Sequence, residues 1–166
     1  MKLKAGESII LDIFPVDKTS RYYADMTRTF VKGESSPELQ KMYDTVLESQ
    51  ETALRMIRAG VNGCDINEKV SEVLHQAGYK TLQHDQKPGK PLQEGFIHTT
   101  GHGVGLEIHE PPRISSADEE LISGDVVTVE PGLYDPKIGG VRIEDLVVVT
   151  EGGCHNLTNF PKKLRV

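Results

Sequence analysis

Apolar residues fall along this chain in two periods, and the change of period marks the elements. Residues 8 to 14 (SIILDIF) form a short run of β-formers after Gly6, which predicts a buried strand with Asp12 near its end. Residues 22 to 31 (YYADMTRTFV) predict the partner strand of a hairpin, on which Asp25 would face Asp12. The period then becomes helical. Leu39, Met42, Tyr43, Val46, Leu47, Ala53, Leu54 and Ile57 give one apolar face over residues 36 to 59. Its start is marked either by Ser36 as cap with Pro37 at the first position or by a Ser35/Glu38 capping box, and Gly60 ends it. A second helix is expected from Asp65 to Gly78, burying Ile66, Val70, Val73, Leu74 and Ala77, with His75 at the surface. Residues 80 to 95 have no period and predict a loop, with His84 also exposed. Residues 125 to 130 (DVVTVE) predict a strand and residues 140 to 149 (GVRIEDLVVV) its partner.

Composition narrows the class without changing this picture. The 166 residues allow one domain with a real core, and 37% hydrophobic with 27% charged residues fits a globular protein. A net charge of -6 with no Lys/Arg cluster argues against nucleic acid. No apolar run approaches a membrane span, and no signal-peptide pattern opens the chain. Cys64 and Cys154 are isolated and read as reduced thiols, so a cytoplasmic location is expected.

The chemistry centres on residues 96 to 112 (FIHTTGHGVGLEIHEPP), which hold His98, His102 and His109. His102 lies between Gly101 and Gly103, so the backbone there can approach another group closely. Pro111 and Pro112 exclude a helix just after His109. An internal repeat supplies the counterpart. LKAGESIILD (3 to 12) aligns without a gap on LISGDVVTVE (121 to 130), each ending in a carboxylate. A second acid follows each on the partner strand: Asp25 is 13 residues after Asp12, and Glu144 is 14 after Glu130. Two such hairpins side by side would gather four carboxylates, which could not all ionise without cations. Carboxylates with one imidazole suit Mn, Co, Fe or Zn, and oxygen-rich ligation leans toward Mn. Two ions about 3.5–4 Å apart would share a water or hydroxide and polarise a carbonyl.

Four blocks, DIFPVDKTSRYYADMTRTF, GHGVGLEIHEPP, VTVEPGLY and GVRIEDLVVVT, resemble in sequence and order the motifs of the pita-bread metallopeptidases. That family includes Xaa-Pro aminopeptidases, Xaa-Pro dipeptidases, methionine aminopeptidases and the metal-free creatinases. The resemblance covers essentially the whole chain and implies an α+β pita-bread fold, an antiparallel sheet with helices on its outer face. It implies that residues 1–166 form one catalytic domain. Carried over by residue, it implies that Asp12 binds one of two divalent metal ions, that Asp25 and Glu144 bridge both, and that His102 and Glu130 bind the other. Glu130 would also be the general base. His98 and His109 would position the scissile peptide and stabilise the tetrahedral intermediate, and Arg142 would orient carboxylates. The complete ligand set argues against a creatinase. HEPP and VRIED resemble the proline-directed branch, so the expected substrate is a peptide with proline second. A binding or assembly module that keeps the fold without catalysis is the alternative.

The repeat also exposes an imbalance. Residues 31 to 129 separate the first hairpin from Glu130, whereas 11 residues precede Asp12. The chain is therefore expected to be an N-terminally truncated pita-bread domain. The helix over 36 to 59 and the sheet would lack partners on one side, favouring a homo-oligomer or a complementing chain.

Overall fold

The computed structural model describes residues 3 to 166. It opens with the hairpin: β1 (Ser8–Ile13) pairs antiparallel with β2 (Met26–Val31). The register sets Asp12 opposite Thr27, which corrects the expected Asp12–Asp25 pairing. Residues 22 to 25 belong to the connection, tied by Tyr23 N to the Gly105 carbonyl and Ala24 N to the Pro15 carbonyl at 2.9 Å each, so Asp25 sits just ahead of the ladder. Nor is β1 a buried strand. Leu11, Ile13 and Phe14 are 52%, 51% and 57% exposed. Ser8 and Ile10 lie against Gly139 and Gly140, and among the described residues β1 has one ladder partner.

Two helices follow. In α1 (Pro37–Met56) Ser36 is the cap, accepting from Leu39 N at 3.1 Å, with Pro37 in the first turn. The helix stops at Met56, ahead of the expected 59. Helix α2 (Gly63–Gln76) begins two residues before Asp65, because the Asn62 side chain accepts from Cys64 N. Both bury the expected faces. Leu39, Met42, Val46, Ala53 and Ile57 are at most 1% exposed, so α1 does not lack partners; the open apolar surface lies on β1 instead. The aperiodic stretch after α2 holds one helical turn, α3 (Leu82–Asp85), capped by Thr81. His75 and His84 are exposed as expected and stack on each other.

The remaining strands are β3 (Gly101–Gly103), β4 (Glu110–Ile114), β5 (Val126–Val129), β6 (Gly132–Asp135), β7 (Gly139–Arg142), β8 (Asp145–Thr150) and β9 (Gly153–Asn156). An antiparallel sheet runs β4-β3-β5-β8-β9, and β6-β7 form a separate hairpin. The expected single strand over 140 to 149 is thus two. The chain turns at Ile143 and Glu144, where Ile143 N reaches the Pro131 carbonyl and Glu144 N the Thr27 carbonyl. That break lets β7 pair with β6 and β8 with β5, and it leaves Glu144 pointing inward, 2% exposed.

The repeat is real in three dimensions. Gly6 and Gly124 both take positive φ (82° and 101°), and each donates its N–H across its hairpin, to Lys32 and Val149 respectively. Asp25 and Glu144 each stand immediately before the second strand of their hairpin. A common core of Val31, Leu39, Met42, Val46, Ile66, Val70, Leu74, Ile114, Val127, Val129, Leu133 and Val147 packs both helices on the sheet, fixing the hairpin ends against each other.

Candidate metal centre

The two hairpin ends and β3 converge on one point. Asp25, His102 and Glu144, all buried, each offer a ligand atom, and the three atoms lie within 4.8 Å of one another. Glu130 joins from the end of β5, with Oε1 3.2 Å from His102 Nε2; Asp25 Oδ2 is 3.8 Å from the same nitrogen. Glycine on both sides of His102 is a packing requirement. A Cβ at Gly101 would collide with the Thr128 carbonyl, and one at Gly103 would lie 2.6 Å from the Glu110 and Pro111 carbonyl oxygens. The histidine is therefore held deep between neighbouring strands.

Its tautomer follows from its neighbours. His102 Nδ1 is 3.0 Å from the Gly103 carbonyl, which can only accept, so Nδ1 carries hydrogen. Nε2 then faces two carboxylates, and either a proton or a cation must lie between them. Burial opposes a charge on His102, but its bonds to Glu130 and the Gly103 carbonyl and the nearby acids outweigh that and raise its pKa. Burial, followed by the charges of Glu130 and Asp25, pushes Glu144 up to about 8. Asp25 rises to about 6, chiefly by burial. Acids so perturbed around one imidazole have the donor chemistry of a divalent-cation site, and a cation would offset both the cost of burying their charges and their mutual repulsion.

Asp12 lies at the rim. It is ion-paired to Arg142 and stands outside the group of three, although it lines the same recess of about 140 Å³ as Asp25, His102, Glu130 and Glu144. Arg142 occupies the position expected of an orienting residue. Its Nε donates to Thr27 Oγ1 at 3.1 Å and lies 4.0 Å from Glu130, and Nη1 donates to the Tyr134 hydroxyl at 3.0 Å. Thr27 in turn donates to Glu144 Oε2 at 2.6 Å.

His98 and His109 border an adjoining cleft of about 480 Å³ with Asp12, Glu130 and Arg142. His98 Nδ1 donates to the Thr99 carbonyl at 2.8 Å, and the Tyr134 hydroxyl donates to Nε2 at 3.0 Å. Burial lowers the His98 pKa. His109 stacks edge-on to His102 at 4.2 Å and is open to solvent. All eight residues singled out from sequence are thus at one locus. Sequence reasoning missed Thr27, Thr128, Tyr134 and Arg113. Thr27 lies two residues after Asp25 in the sequence; Tyr134, inside VTVEPGLY, and Arg113, which lines the cleft after HEPP, carried no signal of their own.

The chain belongs to metallopeptidase family M24, whose profile matches residues 1–151. An Xaa-Pro dipeptidase of Pyrococcus furiosus is 37% identical over 164 residues, 98% of this chain and 43% of the relative. One from Pyrococcus horikoshii is 35% identical, over 98% and 42%. The solved X-Pro aminopeptidase of Thermotoga maritima superposes with a TM-score of 0.85 at 37% identity, covering 99% of this chain and 43% of that one. The prolidase of Pyrococcus horikoshii OT3 gives 0.85 at 35% identity, over 99% and 43%. The fold is that of the pita-bread metallopeptidases, over the part matched. The chain spans 42 to 43% of the length of these relatives.

Proposed function

We propose that residues 1–166 act as a catalytic domain that hydrolyses the N-terminal Xaa-Pro bond of peptides with two divalent metal ions, Mn being favoured by the oxygen-rich donors. In this reading Asp25 and Glu144 would hold the ions together with Asp12, His102 and Glu130. Two bound ions would generate a nucleophile from water near neutral pH and polarise the scissile carbonyl. Glu130, which contacts His102 Nε2 at 3.2 Å, the Thr128 hydroxyl at 3.3 Å and the Arg142 guanidinium at 4.0 Å, would be the general base. His98, held by Thr99 and Tyr134, and exposed His109 orient the scissile peptide in the cleft they line. Arg142 holds Asp12 and Thr27, and through Thr27 the Glu144 carboxylate.

The observation that carries the proposal is the convergence of Asp25, His102 and Glu144, with Nε2 of the imidazole turned to the acids. The names of the relatives, Xaa-Pro dipeptidase and X-Pro aminopeptidase, support the substrate class. The test is bound Mn after dialysis, together with hydrolysis of an Xaa-Pro dipeptide and of a longer Xaa-Pro peptide, with and without Mn. No bound metal in the native protein, or binding unaffected by Asp25→Ala and Glu144→Ala, removes the proposal. The two peptides separate dipeptidase from aminopeptidase.

A second reading, a binding or assembly module, draws on the exposed Leu11, Ile13 and Phe14 of the first hairpin and on the partial span of the relatives. It expects metal uptake without hydrolysis. Under either reading we expect a homo-oligomer or a complementing chain on that apolar face, which light scattering would show as a mass above the monomer. We place the reaction in the cytoplasm on the two unbridged cysteines; among the described residues no helix is long and apolar enough to cross a membrane.

A further inference from the structure

We propose that Lys162, on the closing tail, is a positioning residue for Glu144 and Glu130, acting on both through buried polar relays. The inference rests on the metal-centre reading for its purpose, but not for its geometry. Lys162 Nζ lies 2.6 Å from Asp145 Oδ2 and donates to Gln50 Oε1 at 2.6 Å. From there the contacts divide. Asp145, fully buried, holds Arg28 Nη2 at 2.8 Å. Arg28, 1% exposed, donates through Nη1 to the carbonyls of Thr27 (2.9 Å) and Glu144 (2.5 Å). On the other branch Gln50, also fully buried, donates to the Val129 carbonyl at 3.1 Å, one residue before Glu130. One ammonium thus reaches the backbone at both glutamates from behind the site.

The tail is secured for this role. The Phe160 carbonyl accepts from Arg28 Nη2 at 2.9 Å, and its ring meets Phe30 edge-on at 6.4 Å. Leu164 is buried, and its carbonyl accepts from Val31 N at 2.7 Å. Burying two cations on one carboxylate is a poor way to gain stability, since apolar side chains of the same volume commonly do as well. What the charges add is direction. One branch ends on the main chain of Glu144 itself, and the other on that of Val129, next to Glu130. Acids that repel one another must be held by their backbones, and residues behind metal ligands typically hold them in this way.

Lys162→Met keeps the aliphatic stem and removes the ammonium, while Arg28 and Asn156 still satisfy Asp145. The test is amide hydrogen exchange on the metal-free protein. The Glu144 N–H bonds the Thr27 carbonyl at 3.0 Å and the Glu130 N–H the Thr100 carbonyl at 2.7 Å. In Lys162→Met both should exchange roughly tenfold faster or more, with α2 amides unchanged and the native rate recovered in Lys162→Arg. Unchanged rates at Glu144 and Glu130, or an equal increase across all amides, overturns the proposal. Mn titration by calorimetry is the second arm. Lys162→Met should weaken binding about 10- to 100-fold, and Lys162→Arg should restore it. Native affinity in Lys162→Met refutes a role at the centre even if exchange quickens. If the native protein takes up no Mn, the metal reading fails, and the exchange arm still decides whether Lys162 holds the two glutamates.

Discussion

Replacing Glu144 by glutamine should stabilise the metal-free protein while abolishing its response to metal. The folded chain holds this carboxyl 2% exposed beside Glu130 and Asp25, which pushes it from the ordinary 4.5 up to about 8. A carboxyl with a raised folded pKa contributes no penalty below its unfolded value, and stability is lost as pH climbs from there through the folded value. The window here runs from 4.5 to about 8. At pH 7 the unfolded chain ionises Glu144 and the folded chain keeps it protonated. Holding that proton over about 2.5 units costs roughly 3 kcal/mol at about 1.4 kcal/mol per unit. The cost is shared with Asp25 and Glu130, so about 2 kcal/mol is the fair gain for Glu144→Gln. The amide oxygen can still accept from Thr27 Oγ1, as Oε2 does at 2.6 Å. In a chain of this size about 2 kcal/mol raises the melting midpoint by roughly 4–8 °C. Thermal melts in chelator at pH 5 and pH 7.5 measure it. The rise should be largest at pH 7.5 and shrink at pH 5, and added Mn should lift the native protein but not the variant. A variant less stable than native at both pH values would refute the reasoning, since Glu144 would then be a satisfied structural carboxylate.

Metal affinity should itself rise with pH between about 6 and about 8, because Asp25 and Glu144 must lose protons to ligate; calorimetry in buffers of different ionisation enthalpy should show proton release, and a flat profile counts against these ligands. Tyr134→Phe removes the hydroxyl between His98 and Arg142, so kcat/KM should fall roughly tenfold, the worth of about 1.4 kcal/mol, with Mn affinity kept. Equal loss of Mn binding would show that the tyrosine acts on the ligands instead. Gly101→Ala drives a methyl into the Thr128 carbonyl and should cost about 2 kcal/mol or more in urea unfolding; a neutral result would mean that β3 can move away from β5.

The candidate acids were legible because a repeated pattern needs no tertiary knowledge: two apolar runs, each with an acid at the end and a second acid 13 or 14 positions on. The helix faces were legible for the same reason, since Leu39, Met42, Val46 and Ala53 recur at the helical period. Periodicity gives which residues share a face. It does not give register, so the expected facing of Asp12 and Asp25 failed when the ladder set Asp12 against Thr27. Nor does it reveal a turn inside an apolar run, and the break at Glu144 depends on carbonyls of Pro131 and Thr27 far away in sequence.

What the sequence determined by itself was the apolar faces of α1 and α2, the strands β1, β2 and β5, and a short set of candidate acids and imidazoles, because these depend on local spacing and chemistry; β3, β4, β6, β9 and α3 were not legible along the chain. Only the tertiary structure decided which of them meet. It set Asp12 apart from Asp25, His102 and Glu144, in an ion pair with Arg142, and it brought Lys162 against Asp145 and Gln50. Contacts between residues more than a hundred positions apart follow from how whole elements pack, and no window along the chain contains that information.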